Sequence, residues 1–151
     1  MQSVFELVNR HQPWRDARGL RYAPDSDGCQ YRLTRQYRIA FDGDPDAVRT
    51  FVREVLQDEV SDSLCENQTA ALEEFRFIVD IALKPGCLDL EKEAVRRAIQ
   101  DRNDSAWTLQ ELDVAHRVYL RGAEVIDADT YVRDMVNPVI HTWRLHDSAA
   151  M

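Results

Sequence analysis

One strand and helix pattern occurs twice in this chain, at an interval of about 80 residues, and this repeat is the strongest restriction on its fold. Residues 37–43 and residues 116–122 both alternate apolar and polar side chains and then reach a glycine, which predicts a strand and a turn. A helix with one apolar stripe follows each predicted strand, and a valine, Val60 or Val139, follows each helix. The first stripe contains Ala47, Val48, Phe51, Val52, Val55 and Leu56, and the second contains Ala128, Tyr131, Val132, Met135 and Val136.

Another strand precedes the repeated segment in each copy. In the second copy, residues 75–83 place five apolar side chains on one face: Phe75, Phe77, Val79, Ile81 and Leu83. This pattern predicts a strand in the centre of a sheet. In the first copy, residues 4–8 predict the corresponding strand, and residues 16–19 stand where a shortened helix would begin.

A turn and a helix follow the central strand of the second copy. Lys84, Pro85 and Gly86 predict a turn, because proline presets the first turn angle and glycine accepts a positive φ. Asp89 is the expected N-cap of the following helix. The inward face of that helix is expected to contain Ala94, Val95, Ala98 and Ile99.

Each copy therefore predicts the order strand, helix, strand, helix, and residues 139–145 predict a closing strand in the second copy. Right-handed crossovers place both helices of such a unit on one face of a mainly antiparallel or mixed sheet. We expect an α+β chain of two tandem ferredoxin-like βαβ(αβ) units. Residues 1–64 form the first, diverged repeat, residues 65–72 the linker and residues 73–151 the second repeat. Two such units would imitate a two-fold dimer within one chain.

The charge of the chain disfavours nucleic acid as a partner. The sequence has 151 residues, with 19 Lys and Arg against 27 Asp and Glu, and its formal net charge of −8 repels phosphate backbones. No run approaches the roughly 20 apolar residues of a membrane-spanning helix, and residues 1–10 lack the pattern of a secretory signal. We therefore expect a cytoplasmic protein without a membrane partner, in which Cys29, Cys65 and Cys87 are reduced.

The sequence lacks the common catalytic and calcium-binding motifs. It contains no P-loop, no dinucleotide-binding glycine motif, no nucleophile elbow and no HExxH zinc motif. Residues 42–46 alternate carboxylates as a calcium loop does, but Ala47 and Arg53 stand where such a loop requires glycine and glutamate. Asp44 and Pro45 predict the N-cap and first turn of a helix instead.

The histidines predict neither a metal site nor a catalytic pair. His11, His116, His141 and His146 show no i,i+4 spacing and have no cysteine nearby, so only tertiary contacts could assemble a zinc site. We expect no metal, no cofactor and no catalytic residue. An enzyme whose site forms only in the fold, from His116, His141 and nearby carboxylates, stays an open alternative.

The second copy resembles a known family over residues 75–145. Residues 81–89, Ile-Ala-Leu-Lys-Pro-Gly-Cys-Leu-Asp, and the apolar helix after them are similar to the opening of PurS, the small subunit of phosphoribosylformylglycinamidine synthase. Residues 136–140 resemble the Asn-Pro-Val segment that ends the second helix of that subunit, and residues 117–122 lie where its middle strand runs. The first half of the chain resembles a diverged copy of the same unit.

The resemblance implies a PurS-like pseudo-dimer, either as a separate chain or as the N-terminal PurS-like region of a large synthetase. Such a subunit is non-catalytic. It bridges the ATP-dependent synthetase subunit and the glutaminase subunit, and it helps to assemble the complex through which ammonia passes in purine biosynthesis. The resemblance implies interface residues in the turn, at the helix cap and on the middle strand: Lys84, Pro85, Gly86, Asp89, Arg117 and Gly122. Self-association of the pseudo-dimer is a further open alternative.

A second interpretation of the same pattern is a ferredoxin-like module that binds a small molecule or regulates another protein. Tandem βαβ units also form ligand sites, and a fold alone does not determine a function. Binding of a ligand would raise the melting temperature of the chain, whereas an assembly subunit should show no such shift.

Overall fold

In the computed structural model, which describes residues 1–20, 28–122 and 127–150, the chain has an α+β fold with a mostly antiparallel sheet. The strands are Gln2–Asn9 (β1), Arg15–Asp16 (β2), Gln30–Gly43 (β3), Asp62–Glu66 (β4), Phe77–Leu83 (β5), Trp107–Arg121 (β6) and His141–Asp147 (β7). The helices are Pro45–Phe51 (α1), Leu90–Arg102 (α2) and Ala128–Met135 (α3), with short helical turns at Ala17–Leu20, Val52–Leu56 and Ser148–Ala150. These elements are compatible with a ferredoxin-like fold. Among the described residues, no helix has the length and apolar character to span a membrane.

The chain divides into two compact units, each made of segments that are distant in sequence. Unit 1 contains Met1–His11, Arg35–Ala71 and Leu88–Val114, and unit 2 contains Gln12–Thr34, Leu72–Cys87 and Ala115–Met151. The boundaries 1–64, 65–72 and 73–151 describe the sequence repeats and stay a prediction. The segment expected as a linker begins inside β4, because Cys65 and Glu66 pair with β1.

In unit 1, β1 lies between β4 and β3 and is antiparallel to both. Alternate residues of β1 and β3 face one apolar core, because successive side chains of a strand point to opposite faces. Helices α1 and α2 pack on this core. Its buried members are Phe5, Leu7, Tyr37, Ile39, Phe41, Val48, Phe51, Val52, Val95, Trp107, Leu112 and Val114.

The helices of unit 1 confirm the predicted caps and correct two core positions. Asp44 and Asp89 cap α1 and α2 as predicted. Val55 is exposed, because Val52–Leu56 forms a π-helical turn in which the Gln57 N–H donates to the Val52 carbonyl at 2.9 Å. A π turn holds more residues than an α turn and rotates Val55 out of the predicted stripe. Ala94 is also exposed, whereas Val95, Ala98 and Ile99 pack on the core as predicted.

In unit 2, β5 lies between β6 and β7 and is antiparallel to both, which confirms its predicted position inside a sheet. The helix α3 and the turn Ala17–Leu20 cover one face of these strands. A shortened helix was predicted to begin at residues 16–19. In the described part of the first copy, the turn Ala17–Leu20 is the only helical structure at that place. The buried members of the second core are Ala17, Cys29, Val79, Val118, Leu120 and Tyr131.

Two strand boundaries in unit 2 differ from the prediction. Phe75 precedes β5, and its ring meets Tyr119 edge-on with centroids 5.4 Å apart. Because Tyr119 lies opposite Ile78, Phe75 packs on the face of Ile78 and not on the face of Phe77. The closing strand β7 starts two residues later than predicted, since Val139 and Ile140 belong to the turn before it.

Candidate protein interface

The Lys-Pro-Gly segment forms the predicted turn after β5. The Cys87 N–H donates to the Lys84 carbonyl at 3.1 Å, with Pro85 and Gly86 at the two central positions. Gly86 has a φ of +91°, as the third position of a type II turn requires. This φ is the reason for glycine here, because no atom lies within 4 Å of a Cβ added at that position.

A second turn lies beside the first, although it is about 50 residues away in sequence. The Lys84 N–H donates to the Ile140 carbonyl at 2.8 Å, and the Cys87 Sγ lies 3.8 Å from the same oxygen. Asn137 shapes this second turn, since its Oδ1 accepts from the Val139 N–H at 3.0 Å. We call residues 84–87 and 137–141 the turn corner of unit 2.

The turn corner presents an apolar side chain and a cation to solvent. Val139 is 77% exposed, and Pro85, Gly86 and Pro138 are exposed as well. Lys84 is half-buried, and its ammonium has no ion-pair partner among the described residues. The mixture of an apolar centre and an unpaired cation is suited to a protein surface with an acidic rim.

The turn corner offers little acid–base chemistry. The Nδ1 of His141 accepts from the Asn137 N–H at 3.0 Å, so one ring nitrogen already has a structural role. His116 lies opposite Ile81 on β6, whereas His141 lies opposite Leu83 on β7. Because β5 separates these two strands and the two positions are offset by two residues along it, the backbones of the two histidines are roughly 12 Å apart. The structure therefore does not bring together the histidine pair that the sequence left open as an enzyme site.

The other predicted interface residues lie elsewhere. Asp89 belongs to unit 1, where its side chain accepts from the Lys92 N–H at 3.0 Å and caps α2. Gly122 is exposed and follows β6, near the end of unit 2 where β5 begins. The structure brings together Lys84, Pro85 and Gly86. The second turn lies beside them, and its Asn-Pro-Val motif belongs to the resemblance but was not among the predicted interface residues.

Arg117 is buried inside unit 2. Its guanidinium binds both carboxylate oxygens of Asp80, at 2.7 and 3.0 Å, and the Nε2 of His146 lies 3.0 Å from the same carboxylate. The three residues meet because Asp80 lies directly opposite Arg117 on β6 and diagonally opposite His146 on β7. The sequence pattern does not predict this cluster. Its one signal was a charged residue in an otherwise apolar strand.

Unit 1 contains a cavity of about 480 Å³ between the end of α2 and the start of β6. Its lining includes Arg96 and Trp107. Arg96 already binds Glu93 at 2.7 Å, whereas the buried indole N–H of Trp107 has no hydrogen-bond partner among the described residues. No group of His, Cys, Asp or Glu in the described part of the chain is arranged to hold a metal ion.

Comparison with known proteins found no matching family model, no matching curated protein and no matching solved structure. A functional interpretation therefore depends on the residues and their arrangement.

Proposed function

We propose that this chain is a non-catalytic assembly subunit of phosphoribosylformylglycinamidine synthase, which binds the synthetase and glutaminase subunits and supports ammonia transfer between them. One observation carries the proposal. The two motifs that resemble PurS, residues 81–89 and 136–140, meet at the turn corner of unit 2 through the hydrogen bond from the Lys84 N–H to the Ile140 carbonyl.

The order of elements supports a PurS-like pseudo-dimer as part of the proposal. The series β3, α1, β4 is followed along the chain by the similar series β6, α3, β7. In both series, a turn with an exposed valine separates the helix from the last strand. Val60 is 76% exposed and Val139 is 77% exposed, and each stands two residues before its strand.

A reconstitution experiment tests the proposal. The full chain is mixed with a synthetase subunit and a glutaminase subunit from the same source, and glutamine-dependent amidine formation is measured with and without it. Amidine formation that requires the chain is the expected result. Equal activity without the chain would overturn the proposal.

A matched pair of variants locates the contact surface. Val139→Asp places a charge at the apolar centre of the turn corner, and Val60→Asp places the same charge at an equally exposed valine of unit 1. Both variants should melt at the temperature of the unmodified chain. Val139→Asp should abolish the stimulation of amidine formation and Val60→Asp should retain it, whereas equal losses in the two variants would refute a role for the turn corner.

Lys84→Ala separates a contact role from a role in the turn. The Lys84 backbone makes the turn hydrogen bonds, and its side chain has no ion pair among the described residues. The substitution should weaken assembly and leave the melting temperature nearly unchanged. A parallel loss of assembly and stability would assign Lys84 to folding alone.

The cavity of unit 1 favours a second candidate, a small-molecule binding or regulatory module. A buried donor without a partner costs about 1–3 kcal/mol, so a ligand that accepts from the Trp107 indole N–H would recover part of that free energy. A thermal-shift screen of small carboxylates and nucleotides tests this candidate. A ligand whose effect is absent in Trp107→Phe would support it, and no shift with any compound would count against it.

A further inference from the structure

The outer edge of β7 has backbone groups that bind no other strand in the part of the chain that the structure describes. Among the described residues, β7 pairs only with β5. The Ile140 carbonyl accepts from Lys84 and the Ser148 N–H donates to the Arg76 carbonyl at 2.9 Å, and such bonds recur at every second residue of an antiparallel pair. The even-numbered residues of β7 therefore direct their backbone groups toward β5. The odd-numbered residues direct theirs outward.

The same odd-numbered residues share one face of the sheet, and we call them the outer edge: His141, Trp143, Leu145 and Asp147. Trp143 is 47% exposed and Leu145 is 38% exposed, so the middle of the edge is apolar. Asp147 binds Arg76, and hydrogen bonds from the Ala149 N–H and from Arg76 lower the pKa of Asp147, which keeps it negatively charged.

The edge strand of unit 1 has a different composition. β4 has five residues with an acid at each end, Asp62 and Glu66, and Glu66 binds Arg49 at 2.7 Å. Short, charged strands prevent pairing with another sheet edge. β7 has seven residues and contains neither proline nor lysine. The two central residues with outward backbone groups are the apolar Trp143 and Leu145. β7 therefore differs from β4 in its greater length and in the exposed apolar residues at its middle.

We propose that the outer edge of β7 pairs antiparallel with β7 of a second copy of this chain, with the two-fold axis at Arg144. In this register Trp143 lies opposite Leu145 of the second copy, and His141 lies opposite its Asp147. The backbone groups of the outward residues then form hydrogen bonds between the copies. The His141 N–H is the exception, because it already donates to the Asn137 carbonyl at 2.8 Å.

The sequence of β7 selects both the partner and the register. Two-fold pairing brings only residues of the same face opposite each other, so the axis must coincide with a residue. An axis at Trp143 would place His141 opposite Leu145 and Asp147 opposite Val139, and an axis at Leu145 would place Trp143 opposite Asp147. The axis at Arg144 alone matches apolar with apolar and acid with histidine, which favours a second copy as the occupant.

The register has one unfavourable contact, which provides a specific test. Arg144 of each copy lies opposite Arg144 of the other, and like charges directly opposite each other in a sheet are destabilising. Arg144→Gln should therefore tighten the dimer, roughly twofold to fivefold in its dissociation constant. A partner strand without a basic residue opposite Arg144 would not give a gain by this mechanism.

Sedimentation of the full chain over a wide range of concentrations measures the dimer. The unmodified chain should change from monomer to dimer as concentration rises, and Trp143→Lys should stay monomeric at every concentration. Val60→Lys adds the same charge at an exposed apolar residue of unit 1 and should dimerise as the unmodified chain does. A monomer at all concentrations, a dimer that survives Trp143→Lys, or a weaker dimer with Arg144→Gln would overturn the proposal.

Amide exchange of the unmodified chain gives a test that needs no variant. The outward N–H groups of Trp143, Leu145 and Asp147 should exchange fast in dilute solution and become protected as concentration rises. The N–H groups of Thr142 and Arg144 should be protected throughout, because they point toward β5. If the exchange rates of the Trp143, Leu145 and Asp147 N–H groups do not change with protein concentration, the proposal is overturned. Dimerisation should persist in Val139→Asp, so this result is distinguishable from the outcome for the proposed function.

Discussion

Arg117→Met tests whether Arg117 stabilises unit 2 or serves a partner. The Arg117 and Asp80 side chains are 6% and 16% exposed, and two guanidinium nitrogens lie within 3.0 Å of the carboxylate. Removal of one member of a buried ion pair leaves the other charge without its partner and costs about 3–5 kcal/mol. The substitution should therefore lower the free energy of unfolding by most of this amount.

The expected change is large enough for ordinary denaturation experiments. For a chain of this length, each 1 kcal/mol shifts the melting temperature by about 2–4 °C, so Arg117→Met should lower it by roughly 6–20 °C. Asp80→Val combined with Arg117→Met replaces the pair with apolar side chains and should recover most of the loss. Arg97→Met, at an exposed position of α2, is the control and should change stability by less than about 0.5 kcal/mol.

Circular dichroism melts and urea denaturation of the four proteins decide between the two roles. A melting temperature of Arg117→Met within the range of the control would refute the assignment of Arg117 to the interior. A double variant no more stable than Arg117→Met would refute the charge argument, because removal of the unpaired Asp80 carboxylate should recover stability. Assembly should fall in Arg117→Met only as far as its folded fraction falls.

Three further predictions use local geometry. Gly86→Ala should cost about 1–2 kcal/mol for its φ alone. Gly43→Ala should cost more, because a Cβ there would clash with the Ala106 carbonyl oxygen, and urea denaturation measures both variants. Asp89→Ala should remove the cap of α2 and cost about 1 kcal/mol, with a lower melting temperature. Burial, with a further contribution from Glu91, raises the pKa of Tyr37 to about 12, so the unfolded chain ionises first and stability falls as the pH rises above 10. Tyr37→Phe should remove this fall, which amounts to at most about 3 kcal/mol, in denaturation experiments at alkaline pH.

Local interactions explain which elements the sequence predicts well. The caps at Asp44 and Asp89 and the turn at Lys84 depend on residues within three or four positions, and all were visible as short patterns. Val55 was misplaced because a π turn does not alter the spacing of apolar residues in the sequence. Phe75 was misplaced because an alternating pattern can extend beyond the end of a strand.

Strand register explains what the sequence could not show. Asp80, Arg117 and His146 meet only because β5 pairs with β6 and β7 in one particular register. The turn corner has the same origin, since the Lys84 N–H reaches the Ile140 carbonyl only after β5 and β7 have paired. Both motifs of the corner are visible in the sequence, but their meeting is a consequence of this long-range pairing.

A corner of unit 1 has the same backbone hydrogen bonds as the turn corner of unit 2. Side-chain differences between the two corners are therefore not required by the backbone fold. The Arg10 N–H donates to the Ser61 carbonyl at 2.7 Å, as the Lys84 N–H donates to Ile140 in unit 2. The Val60 N–H donates to the Asp58 carboxylate at 2.9 Å, as the Val139 N–H donates to Asn137.

The side chains of the two corners differ in one respect that backbone geometry does not require. The Arg10 guanidinium donates to the backbone carbonyls of Glu59 and Asp62, so the cation of unit 1 is used within its own corner. The Lys84 ammonium makes no such hydrogen bond among the described residues, and the neutral Asn137 stands where unit 1 has the acid Asp58. Because the shared backbone hydrogen bonds account for the fold of both corners, the unpaired cation of Lys84 is the feature that distinguishes the corner of unit 2. For the same reason, Val60→Asp is a stringent control for Val139→Asp.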